Sequence, residues 1–320
     1  MISDLLIERF AADLDALVAP GERIGVAVSG GPDSLALLLL AHAARPGLVA
    51  AASVDHGLRA GSRGEAEAVG LLCERLGVAH ALLTIDWPVR PTSALQEQAR
   101  RLRYEALGGW ARANGLGAVA TGHHADDQAE TLVMRLLRGA GVRGLAAMRA
   151  AAPLPGSSGI SLLRPLLGWR RAELEALVAG SGMAAADDPS NRDERHERVR
   201  VRRLLAGSLW LDPAALATSS AHLACADEAI EWAVGREIGT VRSAGDVLSY
   251  HPGDAPFEIR RRVAARLIAA LASEGSGREL RGRELDRLVG ELDCGRSTTL
   301  RGVLASGGPE WRFTPAPRRH

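Results

Sequence analysis

Val26-Ala27-Val28-Ser29-Gly30-Gly31-Pro32-Asp33-Ser34 runs straight into Leu35-Ala36-Leu37-Leu38-Leu39-Leu40, and the reading of this stretch decides the fold. A short apolar strand breaks at two glycines and passes directly into a helix. Gly30 and Gly31 lack the Cβ atoms that would hold a ligand off the backbone, and Pro32 suits a first helical position. Free N–H groups and the positive end of the helix dipole then face an anion, so Ser29 to Ser34 form a phosphate cradle. The loop is shorter than a nucleotide P-loop and has no lysine after its last glycine, so it is not expected to hold a γ-phosphate for transfer. Asp33 beside such a nest would repel a phosphate unless a cation lay between them, and its presence implies Mg²⁺.

Outward from the loop, strand-like segments recur at Ile24–Ser29, Leu48–Val54, Ala81–Ile85 and Ala118–Thr121. Helical patterns alternate with them over Asp33–Ala44, Ser62–Leu76, Ser93–Ala113 and Ala125–Leu137, and Ser93-Ala94-Leu95-Gln96 reads as a capping box. The alternation predicts an α/β fold with a doubly wound parallel sheet, whose ligands bind outside the carboxyl ends of the strands. Residues 152–159 are turn-rich and read as an exposed loop or boundary. A helix over 170–179 and a polar stretch at 187–203 follow. Asp212-Pro213 caps a long helix reaching Ile238, with helices at 256–273 and 279–292 and a strand-like end at Thr298–Leu304. We therefore expect a catalytic domain over residues 1–208 and a smaller, mainly helical domain over 209–320.

The 320 residues, 47% of them hydrophobic, suffice for two domains and a sizeable core. The longest apolar run is too short to span a bilayer and the first residues are too acidic for a secretion signal, which predicts a cytoplasmic protein. Cys73, Cys225 and Cys294 are far apart, so neither a disulfide framework nor a cluster site is expected. All 39 basic residues are arginine. The net charge of +1 hides an uneven distribution, because residues 256–320 carry 13 arginines against 8 acidic residues. Any basic contact to RNA must then be made by arginine, which grips phosphate bidentately and stacks on bases.

Two further strand ends carry polar chemistry. Val54-Asp55-His56-Gly57-Leu58-Arg59 closes the second strand, and Thr121-Gly122-His123-His124-Ala125-Asp126-Asp127-Gln128-Ala129-Glu130-Thr131 follows the fourth. On a helix beginning near Ala125, Asp127 and Glu130 share a face while Asp126 points elsewhere. Such a carboxylate pair suits either Mg²⁺ or the ammonium group of an amine, and spacing alone does not choose.

The Ser-Gly-Gly-Pro-Asp-Ser signature resembles that of the PP-loop ATP pyrophosphatases, which cleave ATP between its α- and β-phosphates. The ordered set of 29–34, 54–59, Ala99-Arg100 with Arg103-Tyr104, 122–131, Leu137-Arg138-Gly139-Ala140-Gly141 with Arg143-Gly144-Leu145, Arg164-Pro165-Leu166-Leu167 and Asp188-Pro189-Ser190-Asn191 is similar to the tRNA(Ile)-lysidine synthases over about residues 20–205. The resemblance implies that ATP lies against Ser29, Gly30, Gly31, Pro32, Asp33 and Ser34, with Asp55 and His56 beside it. It implies a reaction with two substrates besides ATP: a tRNA(Ile) with a CAU anticodon, and free L-lysine. The tRNA's wobble cytidine is adenylated, and lysine then displaces AMP to give lysidine. Candidates for its acid–base and metal chemistry are Asp33, His123, Asp127 and Glu130, with Asp33 and Asp127 as metal ligands. Candidates for tRNA contact are Arg100, Arg103, Arg138, Arg143, Arg198 and Arg202. Val199 stands where the family usually has asparagine. Rival readings are a PP-loop tRNA thiolase, an adenylating enzyme acting on a small molecule, and a non-catalytic nucleotide- or RNA-binding module. Oligomeric state, homodimer included, is not legible.

Overall fold

The computed structural model describes residues 2–57, 61–87, 95–183, 197–272 and 282–317. The expected capping residues Ser93 and Ala94, the motif residues Leu58 and Arg59, Asp188 to Arg192, and the ends of two expected helices at 273 and 279–281 lie outside them. The chain divides into two compact units, Met1–Ala224 and Cys225–His320.

The first unit is built on β1 (Ile24–Ala27), β2 (Val49–Asp55), β3 (Ala79–Thr84), β4 (Ala118–Ala120), β5 (Ala151–Pro153) and β6 (Ser161–Leu163), in the order β3-β2-β1-β4-β6-β5. All neighbours are parallel except β5 and β6. Burial alternates as the strand period demands. On β2, Ala51 joins the core beneath α2 (Pro32–Ala44), whereas Ala50 and Ala52 join the core beneath α4 (Leu95–Ala113). Helix α2 is buried over Ser34–Ala41 because its sequence is apolar on every side. Helix α3 (Ser62–Leu76) and the expected α5 (Ala125–Leu136) complete the alternating pattern.

Three features fill in what the sequence left open. Of the loop or boundary expected over 152–159 the structure shows the loop, which connects β5 and β6 as an antiparallel hairpin whose three-residue strands are too short to show a period. The acidic start forms α1 (Asp4–Asp15), which buries Phe10 and Leu14. Asp13 accepts the Trp169 indole N–H at 2.8 Å, and the Arg9 guanidinium sits 4.0 Å above the Trp169 ring. The polar stretch ends in α8 (Glu197–Gly207), while α6 (Val142–Leu145) and α7 (Arg171–Gly180) precede it.

Helix α9 (Pro213–Ile238) starts as expected at the Asp212 cap, which accepts the N–H groups of Ala214 and Ala215. Its later turns open the second unit, with α10 (Phe257–Leu271) and α11 (Gly282–Asp293). Helices hold more of this unit than strands do, but they pack on an antiparallel sheet of β7 (Arg242–Ala244), β8 (Val247–Tyr250), β9 (Ser297–Leu300), β10 (Val303–Ser306) and β11 (Trp311–Pro315), ordered β7-β8-β11-β10-β9. The single strand expected over 298–304 is a hairpin. Arg301 and Gly302 both take positive φ, 52° and 73°, as a tight two-residue turn requires.

Candidate active site

Strand order reverses between β1 and β4, since β2 and β3 lie to one side of β1 and β6 and β5 to the other. The loops after β1 and β4 therefore flank one crevice at the carboxyl ends of the strands. In the first loop Gly30 takes φ 87°, a conformation only glycine adopts without strain, and Gly31 caps α2 with Pro32 as its first residue. Ser34 knots the loop: its Oγ accepts the Ser29 N–H at 3.1 Å, donates to Gly31 O at 2.9 Å and lies 3.2 Å from Ser29 Oγ. A cavity of about 610 Å³ opens here, a size suited to a nucleotide. Ser29, Gly31, Asp33 and Ser34 line it, with His56, His123, and Gln96 and Arg103 of α4.

Gly30 and Pro32 shape the loop without lining the cavity, and Asp55 also stays out of it. Buried Asp55 accepts the Gly57 N–H at 2.9 Å and so turns the chain after β2, where His56 faces the cavity. Burial, aided by Arg103, lowers the His56 pKa.

Gly122 is the residue whose role the motif did not disclose. A Cβ there would lie 2.8 Å from the Asp33 carbonyl oxygen and 3.1 Å from the Ser34 nitrogen, so only glycine lets the end of β4 touch the cradle. Next to it His123 lines the cavity, and burial together with Arg164, Arg103, Arg100 and Arg198 holds its pKa well below 6.5. Thr121 Oγ1 lies 2.9 Å from His123 Nδ1 and donates to Leu163 O at 3.4 Å. In the neutral imidazole one ring nitrogen carries the proton and the other accepts, and Thr121 Oγ1 serves Nδ1 in either role.

His124 is turned inward as the cap of α5. Its N–H donates to Asp127 Oδ2 at 3.1 Å, and its ring lies 3.5 Å from Asp33 and from Asp127 and 3.6 Å from Asp126. Burial lowers its pKa, but the hydrogen bond to Asp33 and the surrounding carboxylates outweigh it, and the net shift is upward. Asp126 points elsewhere, as expected: it accepts the Arg171 N–H at 2.8 Å and ties α5 to the start of α7. Its pKa is lowered, because those hydrogen bonds and Arg170 outweigh burial.

The expected Asp127–Glu130 pair exists, with partners the sequence did not indicate. Glu130 is buried. Its Oε2 accepts Arg198 Nε at 2.7 Å and its Oε1 accepts Arg202 Nε at 2.6 Å, while Arg198 also reaches Asp127 at 3.1 Å. Arg198 and Arg202, expected on tRNA, thus face the carboxylates of α5, and Glu130 is no unengaged base. Arg100 and Arg103 each hold their guanidinium 5.2 Å from the Tyr104 ring, Arg138 pairs with Glu197, and Arg143 stands exposed on α6. Val199 is buried on α8, a position for an apolar side chain. Gln128 exchanges two hydrogen bonds with the backbone of Met148, at 2.8 and 2.9 Å, and so pins the glycine-rich loop to α5.

Asp33 Oδ1 is buried with no hydrogen-bond partner, at the mouth of the amide nest. Among the described residues no group of three His, Cys, Asp or Glu side chains is placed to cage a metal. The donor set fits Mg²⁺, which takes one or two carboxylates and completes its shell with water and phosphate oxygens.

A parallel sheet with a lysine-free phosphate loop at its switch point defines a PP-loop enzyme, and residues 6–209 match the PP-loop domain family. Over nearly its whole length the chain is also similar to tRNA(Ile)-lysidine synthases. That of Novosphingobium aromaticivorans is 49% identical over 97% of this chain and 93% of its own, and that of Zymomonas mobilis 39% over 93% and 89%. The chain belongs to the tRNA(Ile)-lysidine synthase family. The fold alone is shared with the U34-tRNA thiolase NcsA of Methanococcus maripaludis, a structure with a [4Fe-4S] cluster, at a TM-score of 0.56 and 16% identity over 69% of this chain and 78% of that one. No described helix is long and apolar enough to cross a membrane.

Proposed function

We propose that the chain ligates L-lysine to carbon 2 of the wobble cytidine in CAU-anticodon tRNA(Ile), consuming ATP and releasing AMP and pyrophosphate. The observation that carries this reading is the crevice itself, where Ser29, Gly31, Asp33 and Ser34 of the amide nest and His123, whose pKa is held well below 6.5, line one cavity. The cytidine carbonyl oxygen attacks the α-phosphorus and the bond to pyrophosphate breaks, with the backbone N–H groups of the nest receiving the charge of the leaving group. Asp33, with Asp127 as a second carboxylate, would hold Mg²⁺, which when bound neutralises charge between the phosphates. The ε-amine of lysine then attacks carbon 2, AMP departs with the oxygen, and the amine proton passes to the unprotonated ring nitrogen of His123.

Arg198 bridging Asp127 and Glu130 offers a place for an amino acid, whose ammonium meets carboxylate and whose carboxylate meets guanidinium. Glu130, held between two arginines, positions them rather than removing a proton. A thiolase reading needs cysteines that gather, and Cys73 is buried in the first unit whereas Cys225 and Cys294 are exposed in the second. Incubation with ATP, Mg²⁺, lysine and tRNA(Ile) bearing CAU tests the proposal: labelled lysine enters the tRNA with matching pyrophosphate release. Pyrophosphate release that ignores the tRNA would refute it.

A further inference from the structure

Three arginines gather at one buried tyrosine beside the cavity. Arg100 and Arg103 lie one turn apart on α4, each with its guanidinium 5.2 Å from the Tyr104 ring. Arg164 comes to Tyr104 from the sheet. It follows β6 directly, where Leu163 stands opposite Ala120 of β4, so it lies level with Thr121, two residues before His123. Leu162 packs in the core beneath α4 and Leu163 in the core beneath α2, so the strand period turns Arg164 toward α4. Its Nη1 donates to Arg149 O at 2.7 Å, which fixes the side chain. Arg103 and His123 line the cavity, and Arg164, Arg103 and Arg100 all act on the His123 ring as neighbouring positive charges.

This charge is unbalanced. Arg164 is 7% exposed; burial lowers its pKa, Tyr104 opposes that shift and Arg100 adds to it. Arg164 Nε, Arg103 Nε and the Tyr104 hydroxyl are buried without a hydrogen-bond partner. Glu105, next to Tyr104 in the chain, pairs with Arg101 at 3.1 Å instead, and among the described residues none of the three arginines meets a carboxylate. A buried guanidinium without a counter-ion is costly, and a phosphate supplies both the charge and the acceptors that these N–H groups and the hydroxyl lack. We propose that Arg100, Arg103 and Arg164, with the Tyr104 hydroxyl, form a second phosphate subsite of the cavity, apart from the amide nest at 29–34. Exposure falls from Arg100 through half-buried Arg103 to buried Arg164, so the subsite leads from solvent inward. The phosphate comes from the RNA backbone at the modified nucleotide or from the nucleotide, and the open end at Arg100 favours the RNA strand, which enters from solvent with a phosphate on either side of its reacting base.

The subsite rests on the proposed substrates, and the two are tested apart. Wild type and the variants R103Q, R164Q and R164K are titrated with labelled tRNA(Ile) without ATP over a range of KCl, and with ATP without RNA. A phosphate from the RNA raises the Kd for tRNA about tenfold in R103Q and R164Q and lowers the slope of log Kd against log salt by about one, with the Kd for ATP held within about twofold. A phosphate from the nucleotide raises the Kd for ATP instead. R164K keeps the charge and should recover part of the loss. Wild-type affinity of R103Q for both ligands overturns the subsite. So does a weakened R164Q whose salt slope is unchanged and whose melting temperature falls, because Arg164 would then serve only to hold Arg149. A wild-type chain that binds ATP and no tRNA(Ile) overturns the proposed function, and the ATP titrations still decide the subsite.

Discussion

Gly122 and Gly31 sit in the same crevice and answer to different constraints. A methyl group at Gly122 would overlap the Asp33 carbonyl, which is backbone and has nowhere to retreat, whereas one at Gly31 would meet nothing nearer than Ser29 Oγ at 3.8 Å. Gly122→Ala should therefore destabilise the protein by about 1–3 kcal/mol and displace the cradle, whereas Gly31→Ala should cost little in thermal melting. Equal melting of the two variants would contradict this account. His123 yields a second prediction. Burial and its arginine neighbours place its pKa well below 6.5, so on lowering pH it stays unprotonated past the point where a solvated imidazole would charge. The kcat/KM for lysine should show no acid limb centred near pH 6.5. His123→Gln should lower transfer by about 10²–10⁴ while formation of the adenylate survives. The turn at Gly30 and Gly31 and the helix start at Pro32 were legible because they follow from local geometry, and the parts played by Gly122 and Asp55 were not, because each is decided by what lies across the crevice or one turn away.

At the scale of elements, the alternation of strands and helices was readable from β1 through α5 because the helices between the strands are long enough to display their period and each strand is a short apolar run closed by turn or polar residues, β4 included. The β5–β6 hairpin was not, and neither was the task of α8. Its four arginines read as a charged face turned to solvent or RNA, but the partner of two of them, Glu130, lies 68 and 72 residues earlier in the chain. No local pattern reports such a pairing. In the fold it is the polar half of the α5–α8 contact, whose apolar half is Ala129, Val133, Val201 and Leu205. Glu130→Gln keeps the shape and removes the charge between two guanidinium groups, leaving them to repel. We expect a loss of about 2 kcal/mol in urea unfolding, and faster amide exchange along α8 than along α2. Unchanged exchange in α8 would mean that the apolar contacts alone hold it.

For the whole molecule, the sequence pointed to a basic C-terminal part suited to RNA, and the fold qualifies how much of that charge faces outward. Arg260, Arg261, Arg262, Arg266, Arg296 and Arg312 all pair with carboxylates of their own unit. Arg262 is the extreme case. Buried between α9 and α10, it reaches Asp227, Glu231 and Glu258 at 2.7 Å each, and although burial opposes its charge, those three acceptors raise its pKa further above the arginine norm. Composition could count this residue but could not tell that it serves the interior. Removing it leaves Asp227 buried beside two more acids, and breaking a buried pair from one side costs about 3–5 kcal/mol. Arg312, by contrast, pairs with Glu310 in the open, where such contacts contribute about 0–1 kcal/mol. Arg262→Met should therefore strip amide protection from β10 and β11 in hydrogen exchange, while Arg312→Ala leaves that protection within error. If both variants exchange alike, the buried arginine does not organise the unit, and its charge must be assigned to binding after all.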